Sequence, residues 1–221
     1  MTTGKFIVFE GIDGSGKTTQ LQLLARALKA RNVPVLCTRE PGGTRIGSML
    51  RELLLDPACR DLADRAEAFL YAADRAQHVA EKIAPALQQG VNVLSDRFFY
   101  STLAYQGWGR GLDMEFLTRL NELAVGGVVP DVVVLLDVAA EEGMYRIQGN
   151  RPPDRLEGEK LQFFRRVRYG YLKQAARWPE LFRVVRADAP VREVHRRVVK
   201  ALTGERAGDI FRWPDNPPPE V

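Results

Sequence analysis

Apolar and polar positions along this chain fall into two rhythms. Continuous apolar runs over Phe6–Phe9, Val33–Cys37, Val91–Ser95, Val132–Leu136 and Phe182–Val185 read as strands buried on both faces. Between them, apolar residues recur at helical spacing. Leu21, Leu24, Ala25 and Leu28 predict a helix from about Lys17 to Arg31, and Met49, Leu50, Leu53 and Leu54 a short one closed by Asp56-Pro57. A long amphipathic helix is predicted from about Ala63 to Gln89, stopped by Gly90. Further helices are expected over about 114–124, 139–148, 159–178 and 191–202, and the Gly-rich stretch 106–111 reads as a lead-in to the first of these. Strands alternating with helices predict an α/β fold, a five-stranded parallel sheet with helices on both faces. Ligands then belong at the carboxyl ends of the strands. No repeat or second domain is visible, so the expected division is one domain over residues 1–204 and a Pro-rich tail over 205–221.

The first strand runs into Gly11-Ile12-Asp13-Gly14-Ser15-Gly16-Lys17-Thr18-Thr19, a complete G-x-x-x-x-G-K-[ST] phosphate loop between strand and helix. Its backbone N–H groups and the helix N-terminus cradle phosphate oxygens. Lys17 is placed for the β- and γ-phosphates of a nucleoside triphosphate, and the Thr18 hydroxyl for Mg²⁺. This predicts the P-loop NTPase fold.

Net charge is +4 with pI near 9.2. The basic residues are scattered, so handling of polyphosphates is expected rather than nucleic-acid binding. Only Cys37 and Cys59 are present, without disulfide or zinc spacing. With no signal peptide and no membrane-length apolar run, a cytoplasmic protein that does not engage membranes is the expectation.

Asp96 ends an apolar strand, where a carboxylate holds Mg²⁺ through water; Asp137 ends another and competes for the role. Asp13 inside the phosphate loop either ligates the metal or holds an arginine. Arg39, Arg51 and Arg97 lie on separate strand-end elements and would converge on one anionic group. That set suits an acceptor already phosphorylated, whose charge must be neutralised for in-line attack. Arg39 and Glu40 are expected to pair, and His78 reads as a helix-face residue outside the mechanism.

The chain resembles the thymidylate kinases, nucleoside-monophosphate kinases that convert dTMP and ATP to dTDP and ADP. The resemblance rests on Phe9-Glu10 with the phosphate loop, Thr38-Arg39-Glu40-Pro41-Gly42-Gly43-Thr44, Ala72-Ala73-Asp74-Arg75-Ala76-Gln77-His78, Ser95-Asp96-Arg97, Ser101 to Gly107, and Asp154-Arg155-Leu156-Glu157. It implies that Tyr71, where the family usually has Phe, stacks on thymine, and that Arg75 donates to a thymine carbonyl. Thr102 and Gln106 fall at the base's polar edge and Tyr105 at the sugar 2′ position. Ala187 to Pro190 would border adenine. A lid over about 149–157 is implied, and because Gly14 stands where one branch of the family carries a catalytic arginine, Arg151 or Arg155 of the lid, with Arg146 before it, should supply that charge. A homodimer is also implied, with the helix from Ala63 to Gln89 as a candidate interface.

Two other readings differ in chemistry. A kinase of another pyrimidine nucleotide or of a deoxynucleoside would need a base for a sugar hydroxyl, with Glu10 as candidate. A nucleotide-dependent switch would show Asn-Lys-x-Asp, which is absent.

Overall fold

Strand β1 (Phe6–Glu10) forms the middle of the sheet, and all five of its residues are buried. The computed structural model describes residues 4–148 and 154–203; Arg151, most of the expected lid and the tail lie outside them. Around β1 stand β2 (Val35–Arg39), β3 (Asn92–Asp96), β4 (Val132–Asp137) and β5 (Phe182–Arg186), in the order β2-β3-β1-β4-β5. Every pairing is parallel. The register aligns the carboxyl ends: Asp96 lies opposite both Phe9 and Arg39, and Glu10 opposite Leu135. The phosphate loop, the loop after β2 and the segment after β3 therefore leave the sheet along one edge.

Helix α1 (Lys17–Lys29) buries the predicted stripe of Leu21, Leu24, Ala25 and Leu28. Packed beside it is α9 (Val191–Thr203), tied by a bond from Gln20 Nε2 to the Val191 carbonyl at 3.1 Å. Helix α2 (Arg45–Leu55) begins before the apolar spacing indicates, because the Thr44 hydroxyl accepts from the Gly47 N–H at 2.9 Å and caps its first turn.

The long predicted helix is present as α3 (Asp64–His78), a π-helical turn (Val79–Ile83) and α4 (Ala84–Gln88). The widened turn precedes Pro85, which has no N–H to continue the ladder.

One stretch differs from expectation. Residues after β3 form α5 (Phe99–Thr102), continued by a π-helical turn (Leu103–Gly109) where the glycines read only as a lead-in to the next helix. Gly109 is required there for room: a Cβ on it would stand 2.6 Å from the Phe163 ring. Helix α6 (Met114–Val125) is capped by Asp113, whose carboxylate accepts from the Phe116 N–H at 2.7 Å. The remaining helices are α7 (Ala140–Ile147) and α8 (Leu161–Arg177), the latter packed on the π turn after α5. Phe6, Phe98 and Phe164, all fully buried, anchor the core; each such ring contributes roughly 1.5–3 kcal/mol on burial.

Candidate active site

Two cavities open at the carboxyl edge and share Asp13, Glu40, Arg51, Arg97 and Asp154 in their walls. The wider, about 900 Å³, is lined by the phosphate loop, Asp96, Arg39 and Arg146. The inner one is lined by Tyr71, Arg75, Thr102, Tyr105 and Gln106. Of the expected acceptor residues, only Arg39 lies outside the inner cavity, exposed at the end of β2.

In the phosphate loop, Lys17 is buried and donates to the Ile12 carbonyl at 2.9 Å. Burial, then the nearby Arg97 charge, lowers its pKa to about 8. Thr18 Oγ1 donates to Asp96 Oδ2 at 2.5 Å, joining the two residues expected near Mg²⁺. Gly14 has φ 76°, and a Cβ there would overlap the carbonyl oxygen of Gly143 in α7. The missing arginine thus has a steric cause: α7 occupies the space a side chain would need.

Arg97 sits where the walls meet, with φ 75°. A non-glycine residue in the left-handed region costs on the order of 1 kcal/mol, so its surroundings must hold it. Nη2 donates to Asp13 Oδ1 at 2.6 Å and the Tyr105 hydroxyl at 3.0 Å; Nη1 donates to the Gly11 carbonyl, Ser101 and Tyr171, each at 3.1 Å. Burial opposes the charge, yet Tyr105, Asp13 and Tyr171 together hold the guanidinium pKa well above its ordinary value. Asp13 Oδ2 accepts from Tyr105 at 2.8 Å. Burial works against the Asp13 carboxylate too, but Arg97 and Lys17 prevail and bring it down to about 2. Asp13 holds an arginine, one of the two roles expected for it, with both oxygens engaged. Tyr105, expected at the sugar, also braces this pair.

Glu10 accepts from the Phe98 and Ser101 N–H groups at 2.9 and 3.2 Å, from the Ser101 hydroxyl at 2.6 Å and from Tyr171 at 2.8 Å. Burial raises its pKa above the usual carboxylate value. So engaged, it anchors α5 and α8 rather than standing as a free base.

The expected Arg39–Glu40 pair is not formed. Glu40 is buried and accepts from Arg75 Nε at 2.8 Å, while its other oxygen meets His78 Nδ1 at 3.0 Å. His78 is fully buried and bonds Thr38 Oγ1 through Nε2 at 2.6 Å. Arg75 Nη1 donates to Asn121 at 2.7 Å and Thr102 at 3.2 Å. Asp74, beside them, accepts from the Gly42 N–H at 3.0 Å while its Oδ2 is buried without a partner. Burial, then Glu40, raises its pKa to about 6. Arg51 donates to the Pro41 carbonyl at 3.0 Å, and burial followed by the Arg39 charge lowers its pKa.

Arg155 is not directed at the phosphate loop. It donates to the Leu54 carbonyl at 2.9 Å and pairs with buried Glu67, against α2 and α3. The buried Glu67 carboxylate of α3, 88 residues earlier, holds it, which the resemblance alone did not reveal. Arg146 does reach the phosphate loop, donating to the Gly14 carbonyl at 3.4 Å and to the Ala187 carbonyl at 3.0 Å. Asp137 is taken by Arg168, Nε to Oδ1 at 2.7 Å and Nη2 to Oδ2 at 2.9 Å, so it is a structural partner and not a rival to Asp96. Asp154 closes a turn by accepting from the Leu156 and Glu157 N–H groups at 3.0 and 2.8 Å. Among the described residues no helix is long and apolar enough to cross a membrane.

Glu67, His78 and Asn121 are the site's unanticipated members. Their side-chain partners lie 38 or more residues away in sequence, and the one local signal was their helical spacing relative to Tyr71, Arg75 and Leu117.

The thymidylate kinase family profile matches residues 9–198. A thymidylate kinase of Pelotomaculum thermopropionicum is 54% identical over 209 residues, 94% of this chain and 96% of the relative. One from Carboxydothermus hydrogenoformans is 50% identical, covering 91% of this chain and 98% of the relative. The crystal structure of thymidylate kinase from Ehrlichia chaffeensis superposes with a TM-score of 0.75 at 36% identity, covering 90% of this chain and 98% of that one. With this extent of similarity on a P-loop sheet, the chain belongs to the thymidylate kinase family.

Proposed function

We infer that this enzyme transfers the γ-phosphoryl group of ATP to dTMP, giving dTDP and ADP, and we propose the following roles for its residues. The observation that carries the reading is the shared wall: the phosphate-loop cavity and the inner cavity meet at Asp13, Arg51 and Arg97. A donor held on one side and a monophosphate held on the other would face each other across those arginines.

Backbone N–H groups from Gly11 to Thr19 and the Lys17 ammonium bind the triphosphate. Thr18 and Asp96 are oxygen donors in contact, a set that suits a hard divalent cation, with Asp96 acting through water. Mg²⁺ there would neutralise charge on the β- and γ-oxygens. Arg39, Arg51 and Arg97 take the acceptor phosphate, so that a phosphate oxygen approaches another polyanion without prohibitive repulsion. Tyr71 stacks on thymine. The bonds that hold Arg75 use Nε and Nη1, and its Nη2 edge serves a base carbonyl. Arg151 in the lid supplies charge to the transferring group, with Arg146 steadying the phosphate loop beside it. One kinase domain over residues 1–204, a lid over about 149–157, a tail over 205–221 and a cytoplasmic setting complete the proposal.

A homodimer fits the exposed apolar side chains of α2 and α3, among them Met49, Leu53 and Phe69.

The deoxynucleoside-kinase reading is disfavoured because Glu10 is sequestered by Phe98, Ser101 and Tyr171. The test is a panel with ATP and Mg²⁺: dTMP should turn over far faster than thymidine, dUMP or dCMP. Faster turnover of thymidine would overturn the assignment.

A further inference from the structure

We propose that Glu67 is a specificity-positioning residue: by holding the amide of Gln106 in one orientation, it makes the enzyme select a pyrimidine that carries a proton on N3. The inference rests on the proposed placement of the base beside Gln106.

Glu67 lies on α3, one helical turn before Tyr71, and is fully buried. Its Oε1 accepts from Gln106 Nε2 at 2.7 Å. Its Oε2 is paired with Arg155 and lies 3.5 Å from Arg110 Nη2. With two guanidinium groups beside it, the carboxylate can only accept. An amide has one donor end and one acceptor end, and a carboxylate can meet only the donor end. The Gln106 orientation is therefore fixed by chemistry: Nε2 faces Glu67, and Oε1 is the acceptor presented to a ligand in the cavity that Gln106 lines.

An oxygen acceptor at that place accepts a hydrogen bond from the N3–H of thymine or uracil. Cytosine presents a bare N3 lone pair, and the two acceptors repel. Thr102, beside Arg75, cannot discriminate in this way, because a hydroxyl turns to donate or accept. The Gln106 amide can discriminate only while it is prevented from turning over. Arg155, at the end of the expected lid, completes the clamp on the same carboxylate.

The experiment compares kcat/KM for dTMP, dUMP and dCMP in wild type, Glu67→Gln, Gln106→Leu and the double variant. Glu67→Gln lets either amide end face the base, so the dTMP:dCMP ratio should fall at least about tenfold. The dTMP:dUMP ratio should hold, since the 5-methyl group is remote from N3. In the Gln106→Leu background, Glu67→Gln should leave dTMP:dCMP unchanged. A general loss that leaves dTMP:dCMP at its wild-type value, or shifts both ratios equally, overturns the inference. If Glu67→Gln does not fold, Gln106→Leu decides alone: wild-type discrimination against dCMP in that variant overturns it. Wild-type enzyme inert toward dTMP would instead defeat the functional reading beneath it.

Discussion

The backbones of Gly14 and Gly143 pack directly on each other: a Cβ on Gly14 would overlap the Gly143 carbonyl oxygen, and one on Gly143 would stand 2.7 Å from the Asp13 carbonyl oxygen. Helix α7, which leads toward the lid, is thereby seated on the phosphate loop. Gly143→Ala should push α7 away, lowering unfolding free energy by about 1–3 kcal/mol and raising KM for ATP more than KM for dTMP. Thermal melts and initial rates check this, and an unchanged ATP KM would contradict it.

Asp13 and Arg97 form the second dependence. Asp13→Asn removes the charge that holds Arg97, and kcat should fall about 10²-fold with the fold retained. The Asp13 pKa in the native state is about 2, below its unfolded value. Its contribution to stability is therefore present in full above about pH 4 and lost as pH falls toward 2. Denaturant titrations across that range should show a slope in wild type that flattens in Asp13→Asn.

Lys17 titrates near pH 8 in the free enzyme, since burial and Arg97 disfavour its charged form. If Lys17 binds ATP as the ammonium, as proposed, affinity for ATP should weaken as pH rises through about 8. Isothermal titration in buffers of different ionisation heat should detect uptake of a proton by the free enzyme on binding at about pH 9.

Asp74 has the opposite sign. Its pKa is raised to about 6, so its ionised form costs stability; that cost grows as pH rises from about 4 to 6 and is constant above. Asp74→Asn keeps an acceptor for the Gly42 N–H. It should stabilise by on the order of 1–2 kcal/mol at neutral pH and by little near pH 4.5. Melts at the two pH values decide it.

Glu40 joins Arg75 and His78 inside the fold. Glu40→Gln leaves the Arg75 charge without its partner and should destabilise by roughly 3–5 kcal/mol while raising KM for dTMP. Equal KM with wild-type stability would remove Glu40 from base recognition.

What was legible in the sequence follows from range. The five apolar runs and the phosphate loop are local signals, and each forms the element its pattern indicates, although the edge strands β2 and β5 are only partly buried rather than covered on both faces. The helix after β3 was obscured because Gly107, Gly109 and Gly111 read as a lead-in to α6, whereas Gly109 is small to admit Phe163. Arg39 and Glu40 are neighbours in sequence, but Glu40 turns inward to α3, whose Arg75 and His78 lie 35 and 38 residues on. Arg155 likewise answers to Glu67, 88 residues earlier. Charge partners chosen by burial across the chain leave no local trace.

Glu10 gives the machine a common datum. Phe98, Ser101 of α5 and Tyr171 of α8 meet the two oxygens of this β1 residue, bringing together chain segments up to 161 residues apart. The donor loop begins one residue after it, and the acceptor wall is hung from the helix it caps. With donor and acceptor placed as proposed, both reactants would be gauged from one fixed point, so errors in alignment would not accumulate along the intervening chain and a few hydrogen bonds would set the tolerance for in-line transfer.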